Sequence, residues 1–183
     1  MPLSDEESSI VLKRTVMIAI FAAVAVVLSI AESMIPINIQ IPGAKLGLAN
    51  IMILTCLYFL RARDCLLLVV LKTILTAFIF GTFSSLMFSL FGSLFSFAVM
   101  ALLMKLGRRK LSLVGISIAG GVAHNFGQLT AASIVFATMN IFYYLPALLI
   151  SGIATGILVG IAVRYLVPSL ARLSLFEPFV KAE

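Results

Sequence analysis

The segment LMFSLFGSLFSFAVMALLMKL, Leu86–Leu106, is a continuous apolar stretch whose one charged residue, Lys105, lies next to its end. An α-helix needs about 20 apolar residues to cross the hydrocarbon core of a bilayer, and this stretch is long enough. The segment therefore predicts a membrane-spanning helix.

Five further apolar runs accompany this segment. Of the 183 residues, 62% are hydrophobic and only 11% are charged, whereas soluble domains carry about 25% charged residues. We expect a single domain, residues 1–183, because no polar stretch is long enough to be a linker. The sequence predicts an all-α integral membrane protein with six transmembrane helices: Thr15–Ile35, Leu46–Leu60, Cys65–Phe83, Leu86–Leu106, Leu113–Met139 and Tyr144–Val167.

The positively charged residues predict the orientation of this bundle. With the N-terminus inside, eleven of the thirteen Lys and Arg residues fall in cytoplasmic segments, as the positive-inside rule requires. The other two are Lys45, in the first outer connection, and Lys72, within the third helix. We therefore expect a multi-pass protein of the cell membrane with both termini in the cytoplasm. The net charge of +6 does not predict nucleic-acid binding, because the basic residues are dispersed between apolar runs.

The connection after the first helix has an unusual pattern. Residues 35–45, IPINIQIPGAK, alternate apolar and polar residues and contain two prolines. This pattern predicts extended chain with a turn at Pro42-Gly43. Two interpretations are open: a lid across the outer mouth of the bundle, or a plain connecting loop.

Small residues at four-residue spacing predict close helix packing in three segments. The sixth helix carries Gly152, Gly156 and Gly160, and the first carries Ala19 and Ala23. The fifth carries five small residues with the same spacing: Gly115, Ala119, Ala123, Gly127 and Ala131. Most such stripes are intramolecular contacts, and any one of them is also suited to docking a separate membrane subunit.

Polar and ionisable residues at membrane depth are costly and indicate functional positions. Six of them are candidates for binding a substrate: Glu32, Lys45, Asn50, His124, Asn125 and Gln128. We expect these side chains to line a polar cavity for a small ligand. The structural alternatives are an ion pair between Glu32 and Lys45 and a hydrogen bond from His124 to another helix. Lys72 either serves a function or extends its amine to the inner interface.

Catalytic and metal-binding motifs are absent from the sequence. There is no phosphate-binding loop, no HExxH motif and no CxxC pair, and the seven acidic residues are scattered. A prenyl diphosphate synthase needs aspartate clusters to hold Mg²⁺, which two aspartates cannot build. We therefore expect no independent catalysis, no cofactor and no metal site. Cys56 and Cys65 are expected to be small buried residues without a disulfide.

Several segments resemble those of a known family. They are Pro42–Ile51 (PGAKLGLANI), Gly81–Ser84 (GTFS), Gly115–Gly121 (GISIAGG), His124–Gln128 (HNFGQ), Tyr143–Pro146 (YYLP) and Ser151–Gly156 (SGIATG). Through these segments the chain, over roughly residues 12 to 167, is similar to the Gx transporter family, which is also labelled heptaprenyl diphosphate synthase component I. That family in turn resembles the substrate-binding S components of energy-coupling factor transporters.

The resemblance implies an S-component-like bundle that binds a vitamin or micronutrient and is energised by an ATPase and a coupling membrane subunit. It implies that Ala19 and Ala23, which form an AxxxA motif, dock the partner, and that the first outer loop closes over the ligand. The synthase label implies another role, a non-catalytic membrane subunit associated with heptaprenyl diphosphate or quinone synthesis. A small channel is a third interpretation, disfavoured because the sequence contains no ring of charges or carbonyl filter.

Overall fold

The chain folds into helices throughout its described part. The computed structural model describes residues 5–34, 47–80, 82–107 and 111–179. Six α-helices lie in these ranges: α1 (Asp5–Ser33), α2 (Asn50–Phe59), α3 (Ala62–Phe80), α4 (Phe83–Gly107), α5 (Leu113–Val135) and α6 (Leu145–Ala171). Two 3₁₀ helices, Met139–Tyr144 and Glu177–Phe179, precede and follow α6. The predicted all-helical fold is confirmed, with no strand in the described ranges.

Three helical segments are long enough and apolar enough to cross a membrane. They are Glu6–Ser33, Phe83–Gly107 and Met139–Ala171, with mean hydropathies of 2.4, 2.2 and 2.2. In contrast, α2 has only ten residues, about 15 Å of helix, which is half of the roughly 30 Å hydrocarbon core. The prediction of six complete spans is thus supported for three segments. The location of the two termini in the cytoplasm stays a prediction.

Several helices begin or end away from their predicted bounds. α1 begins at Asp5, ten residues before Thr15, because residues 5–14 are able to form helix although they are too polar for an apolar run. α5 ends at Val135, since Ala137 has φ +50°, a left-handed conformation that interrupts a helix. α6 continues to Ala171, four residues beyond its predicted end.

The helices surround one main apolar core. α5 packs most extensively, against α4 and α6, whereas α1 packs mainly against α3 and α3 packs against α4. The short α2 contributes Ile53 and Leu54, both fully buried. The other helices add large buried side chains to the same core: Met17, Phe21, Leu68, Met100, Ile116 and Val163.

Glycines allow α5 and α6 to approach each other closely. A Cβ on Gly121 of α5 would overlap the carbonyl oxygen of Gly152 of α6, and a Cβ on Gly156 would lie 2.5 Å from Ile118 Cα. Gly160 approaches α5 in the same way. The predicted stripe Gly152, Gly156 and Gly160 is therefore used for packing within the chain.

The small residues of α5 do not form one contact face. Gly120 and Gly127 approach side chains or backbone of α4, whereas Gly121 approaches α6. Gly115, the first member of the predicted stripe, is exposed. Gly120 and Gly121 are not members of the predicted stripe; of its members, Gly127 contacts α4 and Gly115 is exposed, so the stripe is not one continuous contact face.

Two side-chain pairs, one part-buried and one buried, join the helices where α2 leads into α3. Nε and Nη2 of Arg14 in α1 both donate to Oδ1 of Asp64, with Nε at 2.9 Å. Oδ2 of Asp64 accepts the backbone N–H of Arg61 at 3.2 Å. Cys56 and Cys65 are both free and buried, with their Sγ atoms 2.8 Å apart. These contacts hold α1, α2 and α3 together at the end of the bundle where α1 begins.

Candidate functional site

A buried carboxylate links the end of α1 to the start of α2. Glu32 is 5% exposed, and its Oε1 accepts the backbone N–H of Gly47 at 2.6 Å. Its Oε2 accepts the backbone N–H of Leu48 at 3.2 Å. Gly47 and Leu48 belong to the turn before α2, near the positive end of that helix, where the helix dipole favours a negative charge. Glu32 therefore caps the turn that leads into α2.

Gly47 explains why α2 begins at Asn50 and not at the predicted Leu46. Its φ of +90° lies in a region that residues with a Cβ rarely adopt, so the chain turns here instead of continuing as a helix. A Cβ on Gly47 would also lie 2.9 Å from Asn50 Nδ2 and 3.1 Å from His124 Cδ2. The absence of a side chain thus allows polar groups of α2 and α5 to meet.

His124 lies between Gly47 and a second glycine, Gly92 of α4. A Cβ on Gly92 would lie 2.8 Å from His124 Cε1 and 3.0 Å from Gln128 Cγ. Nε2 of His124 and Nε2 of Gln128 are 3.0 Å apart. Because the amide nitrogen of glutamine only donates, the imidazole accepts at Nε2, and a neutral ring then carries its proton on Nδ1. The imidazole is therefore held in place by two glycines and an amide.

Four of the six predicted substrate-binding residues come together here. We call them the polar site: Glu32, Asn50, His124 and Gln128. They come from α1, α2 and α5, and none is more than 5% exposed. Lys45 and the predicted lid, residues 35–45, lie outside the described residues, so their contribution stays a prediction.

The remaining candidate, Asn125, faces α6. Its Nδ2 donates to the carbonyl oxygen of Leu148 at 2.6 Å and lies 3.0 Å from the position of a Cβ on Gly152. Its buried Oδ1 has no hydrogen-bond partner among the described residues. Asn125 therefore lies between α5 and α6, and its hydrogen bond to Leu148 joins the two helices.

Sequence analysis did not identify a buried serine face on α4. This face consists of residues separated by four, four and three positions: Ser85, Ser89, Ser93 and Ser96. Such spacing places side chains on one side of a helix. The hydroxyls of Ser93 and Ser96 have no hydrogen-bond partner in the described ranges. The spacing is visible in the sequence, but serine is a weak signal because its hydroxyl is able to bond the backbone of its own helix.

Lys72 is directed into the bundle, not toward its surface. It is 2% exposed, so its amine does not extend to the inner interface, one of the two interpretations of the sequence. Thr82 lies in the connection between α3 and α4. Lys72 is ten residues before Thr82, and Gly92 is ten residues after it. At equal rise along the two helices, Lys72 lies at about the depth of Gly92 and His124. The interior at this depth therefore contains a lysine side chain.

The polar site is suited to hydrogen bonding. Its carboxylate accepts two backbone N–H groups, and its other members are one imidazole and two amides. Oδ1 of Asn50 is buried and has no hydrogen-bond partner in the part of the chain that the structure describes. That part also contains no cluster of three or more His, Cys, Asp or Glu residues. Buried hydrogen-bonding groups of this kind are what a site for a small polar molecule uses to orient its ligand.

The predicted docking residues lie on the outer surface of α1. Ala19 and Ala23 are exposed, beside the exposed side chains of Ile20 and Val24, whereas Phe21 faces the core. This face is apolar and is available to lipid or to another protein. The structure is thus compatible with docking through Ala19 and Ala23, which stays a prediction.

The comparisons with known proteins identify a family for most of the chain. A family model described as heptaprenyl diphosphate synthase component I matches residues 21–166. This range begins within α1, ends within α6 and includes the whole polar site. No curated protein and no solved structure matches the chain.

Proposed function

Since the chain belongs to the heptaprenyl diphosphate synthase component I family, we propose that it is a membrane-embedded subunit that binds a small molecule. The polar site holds this ligand, and separate proteins supply energy or catalysis. The observation that carries the proposal is the group of four buried polar side chains around Gly47, inside an otherwise apolar bundle.

The energetic cost of the polar site supports a role in binding. A buried polar atom without a hydrogen bond costs about 1–3 kcal/mol, and Asn50 Oδ1 has no partner among the described residues. The imidazole of His124 fits only because positions 47 and 92 are glycine. Apolar side chains would fill this space at lower cost. A ligand that hydrogen-bonds Asn50 and the serine face of α4 would offset part of the free-energy cost of these unpaired polar atoms.

The leading candidate function is uptake of a vitamin or micronutrient. In this function an ATPase and a coupling membrane subunit energise the transport, because the chain has no phosphate-binding loop of its own. Alternating access requires different ligand affinities in two states, and these partners would drive the exchange between them. The exposed, apolar Ala19 and Ala23 face of α1 is the surface through which we expect the partner to dock.

The second candidate is a non-catalytic membrane subunit associated with heptaprenyl diphosphate or quinone synthesis. The family description, which names a synthase component, favours it. In this function a separate subunit provides the chemistry. Of the two aspartates in the chain, Asp64 is paired with Arg14, so the aspartate-rich metal site of a synthase has to come from the partner.

Native mass spectrometry of the full chain, purified in detergent, tests the proposed binding. We expect a retained small molecule in the unsubstituted chain and its loss in His124→Ala. Ser117→Ala is the matched control, because Ser117 is buried on the same helix but faces Gly160 of α6. Retention of the same mass by His124→Ala would show that the ligand binds elsewhere.

Affinity purification from membranes separates the two candidate functions. Recovery of an ATPase together with a coupling membrane protein supports transport, whereas recovery of an aspartate-rich prenyl diphosphate synthase supports the second candidate. We expect Ala19→Leu and Ala23→Leu to reduce partner recovery, with Ile161→Leu, at an exposed apolar position of α6, as the control. If all three variants recover as much partner as the unsubstituted chain, α1 is not the docking helix.

A further inference from the structure

A cavity lies at the end of the bundle where α1 begins. It has a volume of about 450 Å³ and is bordered by the first turns of α1, the end of α2, the start of α3 and the 3₁₀ helix Glu177–Phe179. Its lining combines three charged and several apolar side chains, among them Arg14, Arg61, Asp64, Ile10, Phe59 and Phe179. The ten residues of α2, about 15 Å of helix, separate this cavity from the polar site.

The charges of this cavity favour an anion. The Asp64 carboxylate is already paired, since its Oδ1 accepts two nitrogens of Arg14. These bonds use Nε and Nη2, so Nη1 of Arg14 is left to donate to another acceptor. A ligand is able to reach it, because the Arg14 side chain is 40% exposed. The exposed Arg61 guanidinium has no ion pair among the described residues. The N-terminus of α3 adds the positive end of a helix dipole.

The walls of the cavity and its position favour an amphiphile. Ile10 and Phe59 provide an apolar wall, and Arg14 directly precedes the apolar part of α1. Exposed apolar side chains such as Val16 and Ile20 continue along this helix. A basic pocket at the end of a membrane helix bundle is the kind of place where lipid headgroups bind.

We propose that this cavity binds the phosphodiester headgroup of an anionic phospholipid. Arg61, the free edge of Arg14 and the start of α3 bind the phosphate. An acyl chain lies against the exposed side chains of Leu12 and Val16, next to Arg14 and before the Ala19 and Ala23 face. Guanidinium groups suit this task, because they bind phosphate oxygens through two parallel hydrogen bonds. The proposal does not depend on what binds in the polar site.

Titration of the full chain with two lipids tests the proposal by native mass spectrometry. Dioleoylphosphatidylglycerol carries one negative charge, and dioleoylphosphatidylcholine has the same acyl chains without net charge. We expect preferential binding of the anionic lipid and a loss of affinity of about tenfold in Arg61→Gln, the size expected for one charge-assisted hydrogen-bonding group. Arg63→Gln is the matched control, because Arg63 is exposed two residues away but does not line the cavity. Its affinity should stay close to that of the unsubstituted chain.

Three results would overturn the proposal. Equal binding of the two lipids by the unsubstituted chain would show that the headgroup charge is not recognised, and this comparison holds even if Arg61→Gln fails to fold. Equal loss of affinity in Arg61→Gln and Arg63→Gln would indicate a diffuse basic surface. Displacement of the anionic lipid by inorganic phosphate at the same concentration would identify a site for free phosphate.

Discussion

Gly47→Ala is the substitution to which we expect the polar site to be most sensitive. The new methyl group would lie 2.9 Å from Asn50 Nδ2 and 3.1 Å from His124 Cδ2, whereas ordinary contacts begin near 3.4 Å. Asn50 would have to move by about 0.5 Å and His124 by about 0.3 Å, in a part of the molecule where Gly92 already limits the space around His124. The substitution also places an alanine at φ +90°.

The magnitude follows from these two effects. A residue with a Cβ in a left-handed conformation costs roughly 1–2 kcal/mol relative to glycine. Overpacking of a buried site costs about 1–3 kcal/mol. Together they predict a loss of about 3 kcal/mol in the free energy of unfolding. For a chain of this length, about 1 kcal/mol corresponds to a change of 2–4 °C in Tm, so we expect Tm to fall by about 6–12 °C.

The two buried cysteines provide the assay. The chain has no tryptophan, but Cys56 and Cys65 are fully buried, so a dye that fluoresces on reaction with thiols reports their exposure on heating. Gly115→Ala is the control, because Gly115 is an exposed helical residue whose Cβ would meet only the Ser112 hydroxyl, at 3.3 Å. Alanine there should leave Tm unchanged or raise it slightly. A Tm for Gly47→Ala within 1 °C of the unsubstituted chain would refute this reasoning.

The same melting assay checks three other expectations. Glu32→Gln replaces the carboxylate that accepts two backbone N–H groups, and it should lower the free energy of unfolding by about 1–2 kcal/mol. The control Glu6→Gln, at an exposed position of the same helix, should have no measurable effect. Equal Tm values for the two variants would argue against the cap. Gly121→Ala places a methyl group against a backbone carbonyl of α6 and should lower stability by about 2 kcal/mol, and an unchanged Tm would mean that α5 and α6 separate easily. A double-mutant cycle with Arg14→Gln and Asp64→Asn should give a coupling of about 1 kcal/mol, and additive effects would contradict the ion pair.

Apolar continuity was sufficient to predict where the helices lie. α4, predicted as Leu86–Leu106, is observed as Phe83–Gly107, because a long apolar run in lipid has few ways to satisfy its backbone other than a helix. The prediction was less accurate where single residues control the backbone. Nothing in the hydrophobic pattern indicates the left-handed Gly47 or Ala137, and these residues determine where α2 begins and where α5 ends.

The polar site was predicted in composition but not in arrangement. His124 and Gln128 are four apart, so their proximity follows from helical geometry. The contact of His124 with the start of α2 depends on Gly47, seventy-seven residues earlier, and no local pattern predicts so distant a pairing. Asn125 follows His124 directly and has the same polarity, yet it faces α6, because neighbouring residues on a helix point about 100° apart.

The two polar attachments of α1 limit how this helix is able to move. Arg14 fixes it to α3 near one end, and Glu32 fixes it to the turn before α2 near the other. A swing that displaces the Glu32 end would use the Arg14–Asp64 contact as its pivot and would first have to separate the carboxylate from Gly47. Because Gly47 also touches His124, that separation would disturb the imidazole in the same motion. The tilt of α1 and the orientation of the His124 imidazole are thus mechanically coupled.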